Sequence, residues 1–183
     1  MTEYPLPSMP IEDQGLLLRY AENSCGIKGD VAEVGVYNGG SAWLIWSAIK
    51  DSEKELYLSD SFEGLAPEAE DYPLCGVGSK WYTGDELSVK RLFSPYPKVH
   101  VRKGDCAELI KALEDKNFSL VHLDLDLYRP TKLCLEFFSG RMEMGGRILV
   151  HDARTMTGVM KALGELKYPY TMRQSYAIFG DPL

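Results

Sequence analysis

The chain has 183 residues, 45% hydrophobic and 26% charged, with a formal net charge of −7; that length suits one domain able to bury a core without disulfides or a structural metal. With no Lys/Arg cluster there is no basic face for nucleic acid, and no apolar run approaches the roughly 18 residues of a membrane span. The opening MTEYPLPSMPIED lacks the basic start and apolar stretch of a signal peptide, so a cytoplasmic protein is expected.

Residues 1–30 read as a Pro-rich arm followed by the helix IEDQGLLLRYAENSC. Strands are predicted at 31–36 (VAEVGV), 55–60 (ELYLSD), 98–105 (KVHVRKGD), 120–126 (LVHLDLD) and 147–152 (RILVHD). Between them lie helical patterns: SAWLIWSAIK with Ser41 as its cap, ELSVKRLF preceded by Asp85, and TKLCLEFFSGRM with Pro130 in the first turn. A Gly145-Gly146 pair is expected to introduce the fifth strand, and a helix follows around TGVMKALGELK. The tail YPYTMRQSYAIFG reads as a closing hairpin with Tyr176 to Phe179 as its second strand. Strands alternating with helices predict a doubly wound, mainly parallel, Rossmann-like sheet of seven strands with an antiparallel C-terminal hairpin, all in one domain spanning 1–183. Residues 66–84, APEAEDYPLCGVGSKWYTG, are too rich in Pro, Gly and aromatics for regular structure and are expected to form a substrate loop. Trp81 and Tyr82 would cover a sugar or aromatic ring there, with ordinary loop packing the other reading. Cys25, Cys75, Cys106 and Cys134 form no C-x-x-C pair, which argues for reduced thiols and against a zinc ribbon.

The stretch AEVGVYNGGSAWLI (32–45) places a glycine-rich turn between the first strand and its helix. It has no G-K-[ST], so a nucleoside triphosphate is disfavoured, and Tyr37 stands where the dinucleotide fingerprint needs a glycine. Glu33, at the strand end, would repel phosphate and attract a cation. The ligand inferred is adenosine-bearing, free of phosphate, and carries an ammonium near Glu33, a description that S-adenosylmethionine meets. Open α/β sheets bind ligands at the carboxyl ends of their strands. Asp60 can take the ribose hydroxyls there, Asp105 the adenine amine, and Cys106 can offer its backbone N–H.

The blocks EVGVYNGGS (33–41), DSFEGL (60–65), HLDLDLYRPTK (122–132) and GGRILVHDA (145–153), with Gly158, resemble the macrocin O-methyltransferase (TylF) family of class I S-adenosylmethionine-dependent methyltransferases. The resemblance implies a cofactor site of Glu33, Gly35, Tyr37, Gly39, Ser41, Asp60, Ser61, Asp105 and Cys106. It also implies O-methylation of a hydroxyl on a sugar or glycosylated small molecule, assisted by a divalent cation, Mg²⁺ or Mn²⁺. Asp124 would be metal ligand and general base, with His151 and Asp152 completing the metal set. The chain departs from the family in carrying Leu125 between the two aspartates where Gly is usual, His151 where an Asp-Asp pair is usual, and a shorter N-terminal region.

If the fourth and fifth strands are neighbours they lie about 4.8 Å apart, close enough for Asp124 and the His151-Asp152 pair to share an ion. An imidazole would shift preference toward Mn²⁺, Fe²⁺ or Zn²⁺. A second-shell or core histidine is the equal alternative for His151. Asp126 is expected to cap the following helix or brace its loop, and His100 and His122 are expected to be structural. Two rival functions stand beside the sugar reading: a methyltransferase for phenols or catechols, and a cofactor-binding protein that has lost catalysis. The partner expected is a small hydroxyl-bearing acceptor, neither nucleic acid nor membrane, with a homodimer open as the assembly.

Overall fold

The structure is a computed structural model that describes residues 4–66, 71, 82–166 and 168–180. Thirteen elements follow in order: α1 (Ile11–Ser24), β1 (Asp30–Val34), α2 (Gly40–Ile49), β2 (Leu56–Asp60), α3 (Glu86–Phe93), β3 (Val99–Lys103), α4 (Cys106–Lys111), β4 (Phe118–Leu123), α5 (Tyr128–Ser139), β5 (Met142–Val150), α6 (Thr157–Glu165), β6 (Tyr170–Arg173) and β7 (Tyr176–Phe179). All seven strands join one sheet in the order β3-β2-β1-β4-β5-β7-β6. The first five are parallel, and β7 pairs antiparallel with both β5 and β6. The strand order reverses between β1 and β4, which opens a crevice at their carboxyl ends.

Strand alternation assigns the two layers. Ala32, Val34, Val121, Leu123, Ile148, Val150, Ala177 and Phe179 face α4, α5 and α6, whose Ile110, Leu135, Phe138, Val159 and Leu163 pack against them. Val31, Leu56, Leu58, Leu120, Leu149 and Ile178 face α1, α2 and α3, meeting Leu17, Ala21, Ile45, Ile49, Val89 and Phe93. On this second face two polar residues interrupt the apolar pattern. Glu33 and His122 are register partners across β1 and β4, and Glu33 Oε1 lies 2.8 Å from His122 Nδ1 with both side chains fully buried. His122 Nε2 then meets the Tyr176 hydroxyl at 3.2 Å.

Each predicted strand and helix has a counterpart; α4 is an addition to them, β4 spans Phe118–Leu123 where 120–126 is expected, and two further differences are local. Gly39, at φ +84°, precedes α2, and the helix starts without a side-chain cap, so Ser41 lies inside it and does not cap it. Strand β5 begins at Met142, five residues before the predicted start, and takes in Gly145 and Gly146; the register with β4 jumps from Phe118↔Met142 to Leu120↔Arg147. Glycine at φ +90° (Gly145) absorbs that bulge. Asp85 caps α3 by accepting from Ser88 N–H, as its position suggests. The arm returns over α2: Tyr4 stacks on Trp43 with centroids 4.1 Å apart, and a Cβ on Gly40 would come within 2.6 Å of the backbone of Leu6 and Pro7. Among the described residues no helix is long and apolar enough to cross a membrane.

Gly35 has the tightest surroundings. At φ +92° it lies against the start of the loop after β4, where a Cβ would come 1.9 Å from the Asp124 carbonyl oxygen. Gly39 shares a positive φ, but its Cβ would meet only side chains of Leu92, Val89 and Phe93 at 3.5 Å or more. Gly39→Ala should therefore cost about 1 to 2 kcal/mol from backbone conformation alone, and Gly35→Ala roughly twice that or more because β1 and β4 must part. Urea unfolding of the two variants checks this; equal midpoints would mean the switch point tolerates the extra carbon.

Candidate active site

The crevice at the switch point is a cavity of about 820 Å³. One end is built from the β1–α2 turn and the strand-end acids. Asp60, ending β2, accepts from Val36 N–H at 2.6 Å and Tyr37 N–H at 2.8 Å through Oδ2, and from Phe62 N–H at 2.6 Å through Oδ1. Its carboxylate thus shapes the turn as well as lining the cavity. Asp105 caps α4, accepting from Glu108 N–H at 2.9 Å, which leaves the first-turn N–H groups of Cys106 and Ala107 ahead of the first intrahelical bond. Tyr37, held at φ +49°, meets Tyr82 edge-on with centroids 5.7 Å apart.

The other end is a cluster of acids around one imidazole. His151 is 4% exposed; its Nδ1 lies 3.2 Å from Asp124 Oδ1 and 3.3 Å from Asp152 Oδ2, and its Nε2 lies 3.4 Å from Asp13 Oδ2. Burial opposes charge on His151, but the hydrogen bonds and charges of Asp124 and Asp152 outweigh it and push the pKa up to about 11. The ring is an imidazolium when no other cation is present. Asp126 also joins the cluster. Burial first, then the charges of Asp124 and Asp152, push its carboxyl up to about 8. Asp152 stays below the usual carboxylate range: burial works against it, but His151 and the Thr155 hydroxyl favour the anion.

Of the residues expected at the cofactor, Gly35, Tyr37, Asp60, Ser61, Asp105 and Cys106 line the cavity, as do Asp124, His151, Asp152 and Tyr82. Glu33, Gly39 and Ser41 do not. The Glu33 side chain is 0% exposed and bonded to His122 and Ser41, with burial raising its pKa, so it is not available to a ligand ammonium in this arrangement. Alternation along β1 turns it into the α1–α2 layer, which the sequence does not reveal without knowing where the strand ends. A Cβ on Gly39 would face α3, and its positive φ stands at the start of α2. Asp126 is a correction of another kind: α5 is preceded by Leu127 without a side-chain cap, and Asp126, at φ +60°, lies in the cavity wall instead. The N–H of Tyr128 is satisfied from afar by buried Asp71 at 2.7 Å, in a space that only a glycine at 158 leaves open. Trp81 lies outside the described residues. Asp13 was not singled out by sequence, although it shares a helical stripe with Leu17, Ala21 and Ser24.

Residues 20–175 match the family model of macrocin O-methyltransferase (TylF). The chain belongs to that family. A curated relative from Streptomyces olivaceus, 8-demethyl-8-(2,3-dimethoxy-alpha-L-rhamnosyl)-tetracenomycin-C 4'-O-methyltransferase, is 24% identical over 140 residues, covering 69% of this chain and 54% of its own length. The chain therefore spans about half the length of that relative. Among solved structures, CalS11, a calicheamicin methyltransferase also described as a TDP-rhamnose 3'-O-methyltransferase, is similar with a TM-score of 0.83 at 17% identity, over 96% of this chain and 82% of that one. The O-methyltransferase NovP gives 0.75 at 20% identity, over 92% and 79%. The Bacillus cereus O-methyltransferase solved with SAH gives 0.64 at 12% identity, over 95% and 82%. At these identities the structures establish the fold.

Asp126 sets a stability test. A carboxyl whose folded pKa exceeds its unfolded value of about 3.9 disfavours the folded state increasingly as pH rises from about 4 to 8. Asp126→Asn should thus raise the melting midpoint of chelator-treated protein by a few degrees at pH 8 and by little at pH 4.5. A midpoint shift independent of pH would place Asp126 outside the charge cluster.

Proposed function

We propose that this TylF-family protein is an S-adenosylmethionine-dependent O-methyltransferase acting on a hydroxyl of a sugar or glycosylated small molecule. The observation that carries the reading is one continuous cavity joining the glycine turn, Asp60 and Asp105 to the cluster Asp124, Asp126, His151 and Asp152. The rhamnosyl and TDP-rhamnose acceptors in the names of similar proteins support the sugar class.

When bound, S-adenosylmethionine supplies a methyl on a sulfonium, which an acceptor oxygen displaces in line; no acid is needed at the sulfur. Tyr37, Asp60 and Ser61 would hold the ribose end and Asp105 with the Cys106 N–H the adenine. The remaining demand is on the acceptor hydroxyl, whose proton must leave as the O–C bond forms. The family resemblance implies Asp124 as the base; its Oδ1 lies 3.2 Å from His151 Nδ1 in the cavity wall. Asp126 beside it has a buried, unpaired Oδ1 and a carboxyl pushed up to about 8, so it is the acid of the cluster that keeps its proton. We assign proton abstraction to Asp124, whose carboxylate His151 orients.

A divalent ion fits the donor set. Ligand atoms of Asp124, His151 and Asp152 lie within 4.8 Å of one another, two oxygens and a nitrogen in the cavity wall. Such an ion, when bound, supplies a Lewis acid that makes the acceptor oxygen more available.

Two measurements test this reading. Asp60→Asn should weaken S-adenosylmethionine binding by about 1.5 to 3 kcal/mol, roughly ten- to a hundredfold, through lost charge-assisted hydrogen bonds; calorimetry showing less than about a twofold change would put the ribose elsewhere. Release of S-adenosylhomocysteine should be measured across deoxysugar glycosides, sugar nucleotides and catechols. Turnover is expected with the sugar compounds, and Asp124→Asn should remove most of it while cofactor affinity stays within a few-fold. EDTA should inhibit, with Mn²⁺ restoring activity at least as well as Mg²⁺. Turnover with catechols alone would overturn the substrate class, and full activity of Asp124→Asn would remove it from the mechanism.

A further inference from the structure

We infer that Asp13, on the first helix, is a positioning residue for the site: it holds the Nε2–H of His151 and thereby presents Nδ1 to Asp124 and Asp152 as a metal-ligating nitrogen. The inference rests on the divalent-ion reading above.

Asp13 is buried with only two polar groups facing it among the described residues, Ser175 N–H and His151 Nε2. It is 1% exposed on the apolar stripe of α1, where a carboxylate without partners is strongly disfavoured. Its Oδ1 accepts from Ser175 N–H at 3.3 Å, in the turn between β6 and β7. Its Oδ2, cut off from solvent and making no hydrogen bond among the described residues, lies at ion-pair distance, 3.4 Å, from His151 Nε2, and that nitrogen likewise makes no hydrogen bond. The Tyr176 ring packs beside the imidazole at 4.9 Å between centroids. The ring is therefore fixed in one orientation, with its inner nitrogen against an anion and its outer nitrogen against the two cavity acids. A carboxylate behind a ligating histidine fixes the tautomer and raises ligand basicity, and its removal typically costs about ten- to a hundredfold in metal affinity. Where an aspartate would ligate with no such support, a histidine at 151 needs an acceptor behind it. Asp13 is that acceptor.

The test uses the full chain and Mn²⁺ as probe. Asp13→Asn keeps the shape and an acceptor for Ser175 N–H, but removes the anion and can offer His151 an N–H in place of an acceptor. Calorimetry should show Mn²⁺ affinity reduced about ten- to a hundredfold, Mg²⁺ affinity reduced less, and S-adenosylmethionine affinity unchanged, since Asp13 lies outside the cofactor end. In protein labelled with nitrogen-15 at its three histidines, the metal-free wild type should show a slowly exchanging Nε2 proton on His151, identified by its absence in His151→Gln. That proton should be lost or exposed to exchange in Asp13→Asn. Equal Mn²⁺ affinity in the two proteins, or equal loss of Mn²⁺, Mg²⁺ and cofactor binding, would overturn the inference, the second outcome showing a merely structural residue. If the wild type binds no Mn²⁺, the metal reading fails by itself. The nitrogen-15 signal then decides the Asp13 contact: its loss in Asp13→Asn keeps Asp13 as the residue that orients the ring, and an unchanged signal removes it.

Discussion

The close packing of the Gly35 backbone against the Asp124 carbonyl, which leaves no room for a Cβ, sets the geometry of the cavity. At that point the chain of β1 turns away toward α2 while the chain of β4 turns away toward α5, and the two backbones touch because one of them has no side chain. Asp124 N–H donates to Val34 O at 3.0 Å and Gly35 N–H to Ser59 O at 2.9 Å, tying three strand ends into one rigid rim. The cofactor end and the acid cluster are thus fixed relative to each other by backbone, which suits an in-line displacement whose rate depends on alignment.

The layers of this fold were legible in the sequence because alternation and helical periodicity report burial directly, and the strand-end acids Asp60, Asp105 and Asp124 were legible because strand ends face the crevice in any such sheet. What escaped depended on contacts distant in sequence. Glu33 looked like a ligand-facing acid, yet its register partner is His122, and nothing local to VAEVGV announces that pairing. Asp126 looked like a cap because it precedes a helix, but the helix takes its hydrogen bond from Asp71, more than fifty residues earlier. Asp13 was disguised by its setting: one acid on an amphipathic helix is usually solvated, and only its place on the Leu17–Ala21 stripe hinted otherwise.

The cluster also shows how one imidazole redistributes charge among acids. Three carboxylates facing one another repel, and the imidazolium of His151 lies among Asp13, Asp124 and Asp152 as an internal counter-ion. A fourth acid, Asp126, lies at the edge of that compensation and keeps its proton further up the pH scale. His151 and Asp126 therefore titrate in opposite senses inside one cluster, an imidazole held charged and a carboxyl held neutral.

Asp13 and its hydrogen-bond donor Ser175 are 162 positions apart, and the arm that brings Ser8 to the cavity wall precedes them both. During synthesis the emerging chain carries Asp13 from the outset but lacks its companions until the β6–β7 turn has left the ribosome. Until then Asp13 lacks its Ser175 N–H donor, and β6 has no strand to pair with, since it joins the sheet only through β7. A nascent chain stalled before that turn would hold the five parallel strands alone, with the antiparallel edge still to be added.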